Sequence, residues 1–347
     1  MSEVPVITLC TTDEVLRGSA AGALLCDIPG AVVLQHDIDV HTGALRRVVY
    51  DASGVRSDTE RRLDHACASC ATREDILPTL EELVAQRPAA VVLALPTAIE
   101  AVPVLHALRT VPGAVPAGVA TVVDLDALLD DLASGDRLGD RGLGAAPEDD
   151  RTIGEVVVGQ LETADVVLVS GDGDERAQAL VAHLVGPDRL APWYAVPTDR
   201  LLDARPDPRR GDLLAVSATG AEPAEDVWTV DLSSWRPVHP ERLMERAEEL
   251  GGAAVRSKGH FWVASRPRLA CAWDGAVGDV SIGRIGTWDG EPRTHLVVTG
   301  VGGEPRRVVD AFQEVLLTDV ELAGGLGSWA GEGDGLDPWL GAVGDAV

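Results

Sequence analysis

Lysine is almost absent from this chain of 347 residues, in which the single instance is Lys258. A phosphate-binding loop of the pattern GxxxxGK[ST] needs a lysine at the β- and γ-phosphates, and guanine-reading loops of the pattern NKxD need another. Neither pattern occurs in the sequence. The chain therefore lacks both lysines that P-loop nucleotide hydrolases use to hold and select their substrate.

The chain also has no long apolar run, few aromatic residues and an odd number of cysteines. No stretch approaches the roughly 20 apolar residues of a membrane span, and the N-terminus lacks the basic segment of a signal peptide. Aromatic residues make up only 3% of the chain, so aliphatic side chains must fill its cores. Five cysteines fit a reducing compartment better than a disulfide framework. Together these absences predict a cytoplasmic protein.

Positive charge is also in short supply, and the formal net charge of −27 is spread along the whole chain. Such a surface repels the phosphate backbone, so we expect no direct DNA or RNA binding. Acidity by itself is often only a solubility device. Arginine takes the place of lysine, a bias that is usual in high-GC bacterial genomes.

Alternation of apolar runs with helical stretches predicts an α/β fold. Continuous apolar runs are typical of parallel strands that are buried on both faces. Helices are predicted between them, notably over residues 13–25 and 72–84. The predicted strands cover residues 4–9, 31–34, 45–50, 89–95, 119–124 and 164–169.

The pattern changes after a charged, proline-rich segment, residues 203–212. Beyond it, several strands and two helices predict a small α+β domain. We therefore expect a first domain over residues 1–202, a linker over 203–224 and a second domain over 225–323. Residues 324–347 are acidic and glycine-rich, and are predicted to form a flexible tail with two tryptophans as a candidate docking motif.

Two cysteines, Cys67 and Cys70, form the clearest candidate for a chemical site. Their spacing lets both sulfurs reach one Zn²⁺ at about 2.3 Å. Cys70 also precedes the predicted helix that starts at Thr72, whose N-terminal dipole is expected to lower the thiol pKa. A redox pair, or two thiols that simply pack, are the alternatives to a metal site.

A zinc ion needs two further ligands, and two histidine-containing segments supply candidates. His65 lies two residues before the first cysteine of the pair. On an extended chain, Asp37, Asp39 and His41 share one face of the strand whereas His36 points away, which favours His41 and then Asp39. The predicted metal site therefore consists of His65, Cys67, Cys70, His41 and Asp39.

Four stretches resemble the CobW family of zinc-chaperone GTPases. The first is similar to the family's Cys-x-Cys-Cys loop, the second to the segment before the guanine-reading strand, and the last two to its C-terminal domain. They are residues 65–77 (HACASCATREDIL), 160–168 (QLETADVVL), 239–243 (HPERL) and 256–264 (RSKGHFWVA). The resemblance implies a parallel P-loop-NTPase-like sheet flanked by helices over 1–202, and a CobW C-terminal α+β domain after the linker.

Departures from the family pattern fall on the nucleotide site. Residues 10–18 (CTTDEVLRG) stand where the P-loop is expected, without a glycine-rich cradle, and Asp13 and Glu14 would repel a phosphate there. Residues 170–174 (SGDGD) replace NKxD. Arg17 is the one nearby cation that could hold an anion weakly. We expect GTP and Mg²⁺ binding to be lost, and with them GTPase activity.

The lost P-loop, the Cys-x-x-Cys spacing and the acidic tail resemble one branch of the family, which recruits a ribosome-hibernation factor. The resemblance implies a zinc-responsive protein that brings such a factor to the small ribosomal subunit. The alternative is a GTP-dependent zinc metallochaperone that transfers metal to a client protein. A zinc store without a partner is a third hypothesis.

Overall fold

The computed structural model describes residues 3–65, 67–144, 146, 148–222, 224, 226–252, 254–329 and 333–342, without the side chains of 208 and 209. The chain divides into two compact units, residues 1–210 and 211–347. Within the described ranges, no helix combines the length and apolar character that a membrane crossing requires.

An eight-stranded sheet forms the centre of the first unit. Its strands are β1 (Val4–Cys10), β2 (Val32–Asp39), β3 (Ala44–Asp51), β4 (Gly54–Arg62), β5 (Val91–Ala94), β6 (Ala114–Asp124), β7 (Val166–Ser170) and β8 (Leu190–Pro192). In the order β2-β5-β1-β6-β7-β8 the strands are parallel, and β3 and β4 extend one edge as antiparallel strands. The predicted parallel sheet is confirmed. Strand β4 is mostly exposed and polar, which explains why no apolar pattern predicted it.

Helices cover both faces of this sheet. They are α1 (Glu14–Asp27), α2 (Ala68–Ala71), α3 (Leu77–Ala85), α4 (Ala101–Leu108), α5 (Leu125–Ala133), α6 (Ile153–Thr163), α7 (Glu175–Val185) and α8 (Thr198–Asp203). One core packs α3 and α4 against the sheet, and another packs α1 and α8 against the opposite face. Burial on both faces is why β1, β5 and β7 have continuous apolar sequences.

The second unit is built on a five-stranded antiparallel sheet. Its strands are β9 (Val227–Ser234), β10 (Arg256–Phe261), β11 (Leu269–Ala276), β12 (Asp279–Thr287) and β13 (Thr294–Val301), in the order β12-β11-β10-β13-β9. The helices are α9 (Pro240–Glu245), α10 (Pro305–Val315), α11 (Asp319–Ala323) and α12 (Asp337–Leu340). Phe261, Trp273 and Phe312 are fully buried in one core between the sheet and its helices. The predicted α+β architecture is confirmed.

Gly259 lies within β10. Its φ is +152°, and a Cβ built there would lie 1.9 Å from the carbonyl oxygen of His295 on β13. Glycine is needed here because any side chain would separate the two central strands of the sheet.

The flexible tail expected over 324–347 is wrong for residues 333–342. Leu336 and Leu340 are fully buried in the core of the second unit. Asp334 accepts hydrogen bonds from Arg266 (2.8 and 2.9 Å) and Ser265 (2.6 Å). Burial raises the pKa of Asp334, but these hydrogen bonds outweigh it and lower the pKa to about 2. Residues 330–332 and 343–347 of the predicted tail lie outside the described residues.

Replacing Leu340 tests whether this segment is part of the folded core. We expect Leu340→Ala to lower the free energy of unfolding by about 2–5 kcal/mol, because it leaves a cavity in a packed core. Val320 is 83% exposed, so Val320→Ala, as the matched control, should stay within about 0.5 kcal/mol of the parent. Urea unfolding followed by tryptophan fluorescence measures both. Equal stabilities of the two variants would contradict the packing.

Candidate functional site

The predicted site residues of the first unit gather around one edge of its sheet. In a parallel sheet the carboxyl ends of the strands share an edge, and open α/β folds bind ligands there. Strands β1, β2, β5, β6 and β7 all end at this edge. The lost phosphate site and the thiol segment are both connected to it.

The turn between β1 and α1 offers no anion site. Asp13 caps α1, and its Oδ1 accepts a hydrogen bond from the backbone N–H of Leu16 at 2.8 Å. A helix N-terminus attracts anions through its free N–H groups and its dipole. Here the chain's own carboxylate occupies the position that a phosphate would take.

Arg17 does not provide the weak anion site that its position suggested. The side chain is almost completely buried, and Nη1 donates to the carbonyl oxygens of His36 (3.1 Å) and Leu95 (2.9 Å). Nη2 pairs with Asp37. Both terminal nitrogens are therefore committed to β2 and to the end of β5, which leaves neither of them for an anion.

Residues 170–174, which stand where the guanine-reading motif is expected, are held in place by hydrogen bonds within the chain. Asp174 caps α7 by accepting from the N–H of Ala177 at 2.9 Å, and the N–H of Gly173 donates to Asp126 at 2.9 Å. Gly171 has a φ of +78°, and a Cβ there would lie 2.5 Å from the Asp126 carboxylate. These residues shape a tight connection between β7 and α7.

A cavity of about 280 Å³ opens between the ends of β1 and β6. Its polar lining consists of Thr11, Thr12, Asp13, Asp124, Asp131 and Arg141. Arg141 is paired with Asp131 at 3.1 Å and with Asp136 at 2.8 Å. Burial raises the pKa of Asp131, Arg141 opposes this, and the charges of Asp130 and Asp124 raise it further. An excess of carboxylates makes this cavity unsuited to a triphosphate.

Cys67 and Cys70 are brought together at the start of a short helix. Cys67 caps α2, and its Sγ accepts from the N–H of Cys70 at 3.3 Å. The hydrogen bond between the two thiols, followed by burial and nearby negative charge, raises the pKa of Cys70. The expected lowering of that pKa is wrong, because the helix starts at Ala68 and the partner thiol outweighs its first turn. Thr72 is at the C-terminal end of α2, where its hydroxyl donates to the Ala68 carbonyl.

The remaining predicted ligands lie near the thiols in the fold but do not converge on them. Asp39 ends β2, and its carboxylate accepts from the backbone N–H groups of His41 (2.9 Å) and Thr42 (3.1 Å). This turn adjoins the segment before exposed His65, because the N–H of Leu63 donates to the Gly43 carbonyl at 2.9 Å. Across the described part of the chain, no three His, Cys, Asp or Glu side chains are grouped to hold a metal. The five-residue zinc site stays a prediction.

His36 and Arg47, which are outside the predicted set, anchor the thiol segment through Asp75. His36 is fully buried, with Nε2 2.9 Å from Oδ1 of Asp75. Nη1 of Arg47 contacts both oxygens of the same carboxylate, at 3.2 and 3.1 Å. Asp75 lies in a π-helical turn, Thr72–Ile76, that joins α2 to α3. Such turns are frequent at functional sites. The contact fixes the segment after Cys70 to β2.

The surroundings of His36 and Asp75 determine which of these two side chains is charged. Burial lowers the pKa of His36, so the ring is neutral at pH 7. A carboxylate can only accept, so Nε2 carries the proton and donates to Asp75. Burial raises the pKa of Asp75, but the His36 hydrogen bond and the charge of Arg47 bring it below its usual value. Asp75 therefore stays ionised.

Asp75→Asn tests this group. We expect the variant to lose about 3 kcal/mol of unfolding free energy at pH 7, because Arg47 loses its buried partner. The folded-state pKa of Asp75 is lowered, so its contribution is present above the unfolded pKa of about 3.9 and lost as pH falls through the folded value. Wild type and variant should therefore converge at acid pH in urea unfolding.

Asp58→Asn is the matched control, since Asp58 forms an exposed pair with Arg46. Exposed pairs contribute at most about 1 kcal/mol. A constant difference between Asp75→Asn and wild type from neutral to acid pH would contradict the assigned charges.

Comparisons with known proteins agree on one relationship. Residues 227–316 match the family model of the cobalamin synthesis protein cobW C-terminal domain. The protein named zinc chaperone Rv0106 of Mycobacterium tuberculosis is 28% identical, with 92% of this chain and 89% of that protein covered. Zinc-regulated GTPase metalloprotein activator 1 of Dictyostelium discoideum is 26% identical over 51% of this chain and 41% of its own length.

Among solved structures, the Zn(II)-bound YjiA GTPase from E. coli aligns with a TM-score of 0.40 at 15% identity, covering 91% of this chain and 100% of that one. The family model contains both C-terminal stretches in which the sequence resembles CobW proteins, residues 239–243 and 256–264. Residues 227–316 therefore form a CobW C-terminal domain.

Proposed function

We propose that this chain is a non-hydrolysing CobW-like protein of zinc homeostasis. It binds zinc as cargo or signal through Cys67 and Cys70, and in response recruits a ribosome-hibernation factor to the small ribosomal subunit. The names of the relatives, a zinc chaperone and a zinc-regulated GTPase metalloprotein activator, support the role in zinc handling. The ribosomal partner follows from the sequence resemblance alone.

The carboxylate of Asp13 on the N-terminus of α1 carries the proposal that hydrolysis is lost. A phosphate placed there at about 4 Å would be repelled by about 4 kcal/mol per charge pair at an effective dielectric constant of about 20. Moving Asp13 away would sacrifice a helix cap that contributes about 1 kcal/mol. Since about 1.4 kcal/mol is a factor of ten in affinity, giving up this cap would weaken phosphate binding here by about fivefold, and keeping the carboxylate in place would weaken it further.

The thiol pair fits zinc in its chemistry and in part of its geometry. Thiolates are soft ligands that suit Zn²⁺, and the two thiols that would supply them lie at the start of α2, where the N–H of Cys70 donates to Sγ of Cys67. Because the pKa of Cys70 is raised, zinc must displace its proton, and affinity should fall as pH falls. With two thiols in place, the further ligands must come from His65, from the 39–41 turn or from a client.

The contacts on either side of the thiols suggest how zinc binding would change the surface of the protein. Asp75 anchors the helical segment behind the thiols to β2 through His36. In front of Cys67, Leu63 is buried and bonded to Gly43, whereas Asp64 and His65 after it are exposed. A zinc ion that drew His65 towards the thiols would therefore move the connection before α2 and leave α3 in place. That connection is the surface proposed to change.

A GTP-dependent zinc metallochaperone is the second candidate function. The similarity to zinc chaperone Rv0106 extends over 92% of this chain, which favours metal delivery. This function needs a nucleotide site, whereas the proposed recruiter does not. Nucleotide binding therefore separates the two candidates.

Equilibrium titration with a fluorescent GTP analogue and Mg²⁺ distinguishes the two candidate functions. We expect no Mg²⁺-dependent binding by the full chain, because Asp13 occupies the anion position and Arg17 is committed elsewhere. Asp13→Asn is the matched variant, since it keeps a capping side chain and removes the charge. Micromolar, Mg²⁺-dependent affinity in the wild type would overturn the recruiter and support the metallochaperone.

Sucrose-gradient sedimentation of the tagged chain from zinc-rich and zinc-starved cells tests the recruiter directly. We expect wild type to sediment with small ribosomal subunits only under starvation. Cys67→Ser/Cys70→Ser should sediment identically in both conditions, because its zinc ligands are gone. Cys26→Ser, at an exposed thiol elsewhere, should behave as wild type. Wild-type protein that stays at the top of both gradients would contradict the proposal.

A further inference from the structure

Two histidines face each other across the central strands of the second unit. His260 on β10 is directly opposite His295 on β13. Their ring centres are 5.7 Å apart and the ring planes are at 90°. Their neighbours Phe261 and Leu296 point into the core beneath the helices, so the histidines lie on the other face of the sheet.

One nitrogen of each imidazole ring forms a hydrogen bond that fixes the orientation of the ring. Nδ1 of His260 lies 2.8 Å from the carbonyl oxygen of Leu213, and Nε2 of His295 lies 2.7 Å from Oδ1 of Asp231. Carbonyl and carboxylate oxygens only accept hydrogen bonds, so these two nitrogens carry the protons. In the neutral rings the lone pairs are therefore at Nε2 of His260 and Nδ1 of His295. Metal-binding histidines are held in this way by carbonyl or carboxylate groups.

The distance between the rings suits a shared metal ion. Two imidazole nitrogens about 2.1 Å from a tetrahedral zinc ion place the ring centres roughly 5 Å apart. The observed separation of 5.7 Å is close to this value, and His295 is the less buried of the two rings. The backbone keeps this separation, because Gly259 lets β10 and β13 pair closely beside the two histidines.

Local charge favours a cation at this position. Burial lowers the pKa of His260, the Leu213 hydrogen bond opposes this, His295 lowers it further and Asp212 raises it. The Asp212 carboxylate acts on His260, and the Asp231 carboxylate contacts His295, so each ring has one negative charge beside it.

We propose that His260 and His295 bind one divalent transition-metal ion, with zinc as the first candidate, through Nε2 and Nδ1 respectively. Imidazole pairs suit Zn²⁺, Ni²⁺ and Cu²⁺, and water completes the coordination. Two protein ligands make an exchangeable site, in contrast to the four of structural zinc sites. This site lies in the CobW C-terminal domain and is independent of the thiols and of the proposed recruitment.

Zinc titration by calorimetry tests the site in the full chain carrying Cys67→Ser/Cys70→Ser, which removes the thiol ligands. We expect this parent to bind one Zn²⁺ at the histidines. Adding His295→Ala should weaken binding at least tenfold, and Asp231→Asn by about tenfold through loss of the group that orients His295. His106→Ala is the matched control on an exposed helix position and should leave the titration unchanged.

Imidazole ¹⁵N NMR of the same parent shows which nitrogens bind, without any change at buried His260. Zinc should shift Nε2 of His260 and Nδ1 of His295 and leave the two hydrogen-bonded nitrogens protonated. A parent that binds no zinc, or a His295→Ala variant with unchanged affinity, would overturn the proposal. Zinc-induced shifts confined to other histidines would do the same.

Discussion

The buried guanidinium of Arg17 holds the carboxyl edge of the first sheet together. It donates to backbone carbonyls at His36 and Leu95 and pairs with Asp37, so it joins α1, β2 and the end of β5. Hydrogen bonds to a charged group contribute about 1.5–3 kcal/mol each, whereas a buried charge without partners is strongly unfavourable. In a phosphate-binding fold, groups at this edge would be free to bind an anion. In this chain the terminal nitrogens of Arg17 already bond to the chain itself.

The thiol segment depends on the same strand. His36 accepts from Arg17 through its carbonyl oxygen and donates to Asp75 through its ring, so one residue connects Arg17 to the helical segment after Cys70. Arg47 keeps the Asp75 carboxylate charged. The contacts of Arg17 and the position of the helical segment are therefore linked, because both depend on β2.

Sequence patterns predict the parts of the fold that depend on local chemistry. The apolar runs of β1 and β5 identify buried parallel strands. Parts that depend on distant partners are not predictable in this way. Leu340 is buried in a core of residues that are distant in the sequence, and strand alternation puts His36 and Asp37 on opposite faces without showing which face Asp75 covers.

Net charge links the two places where zinc chemistry is proposed. A formal charge of −27 attracts divalent cations to the surface and raises their local concentration. Sites with only two protein ligands gain most from this, because their occupancy depends on the free metal near them. In the two proposals, Cys67 with Cys70 supplies soft ligands and His260 with His295 supplies borderline ones. Because no third His, Cys, Asp or Glu is grouped with either pair among the described residues, occupancy of both proposed sites depends on the zinc concentration that the acidic surface sustains.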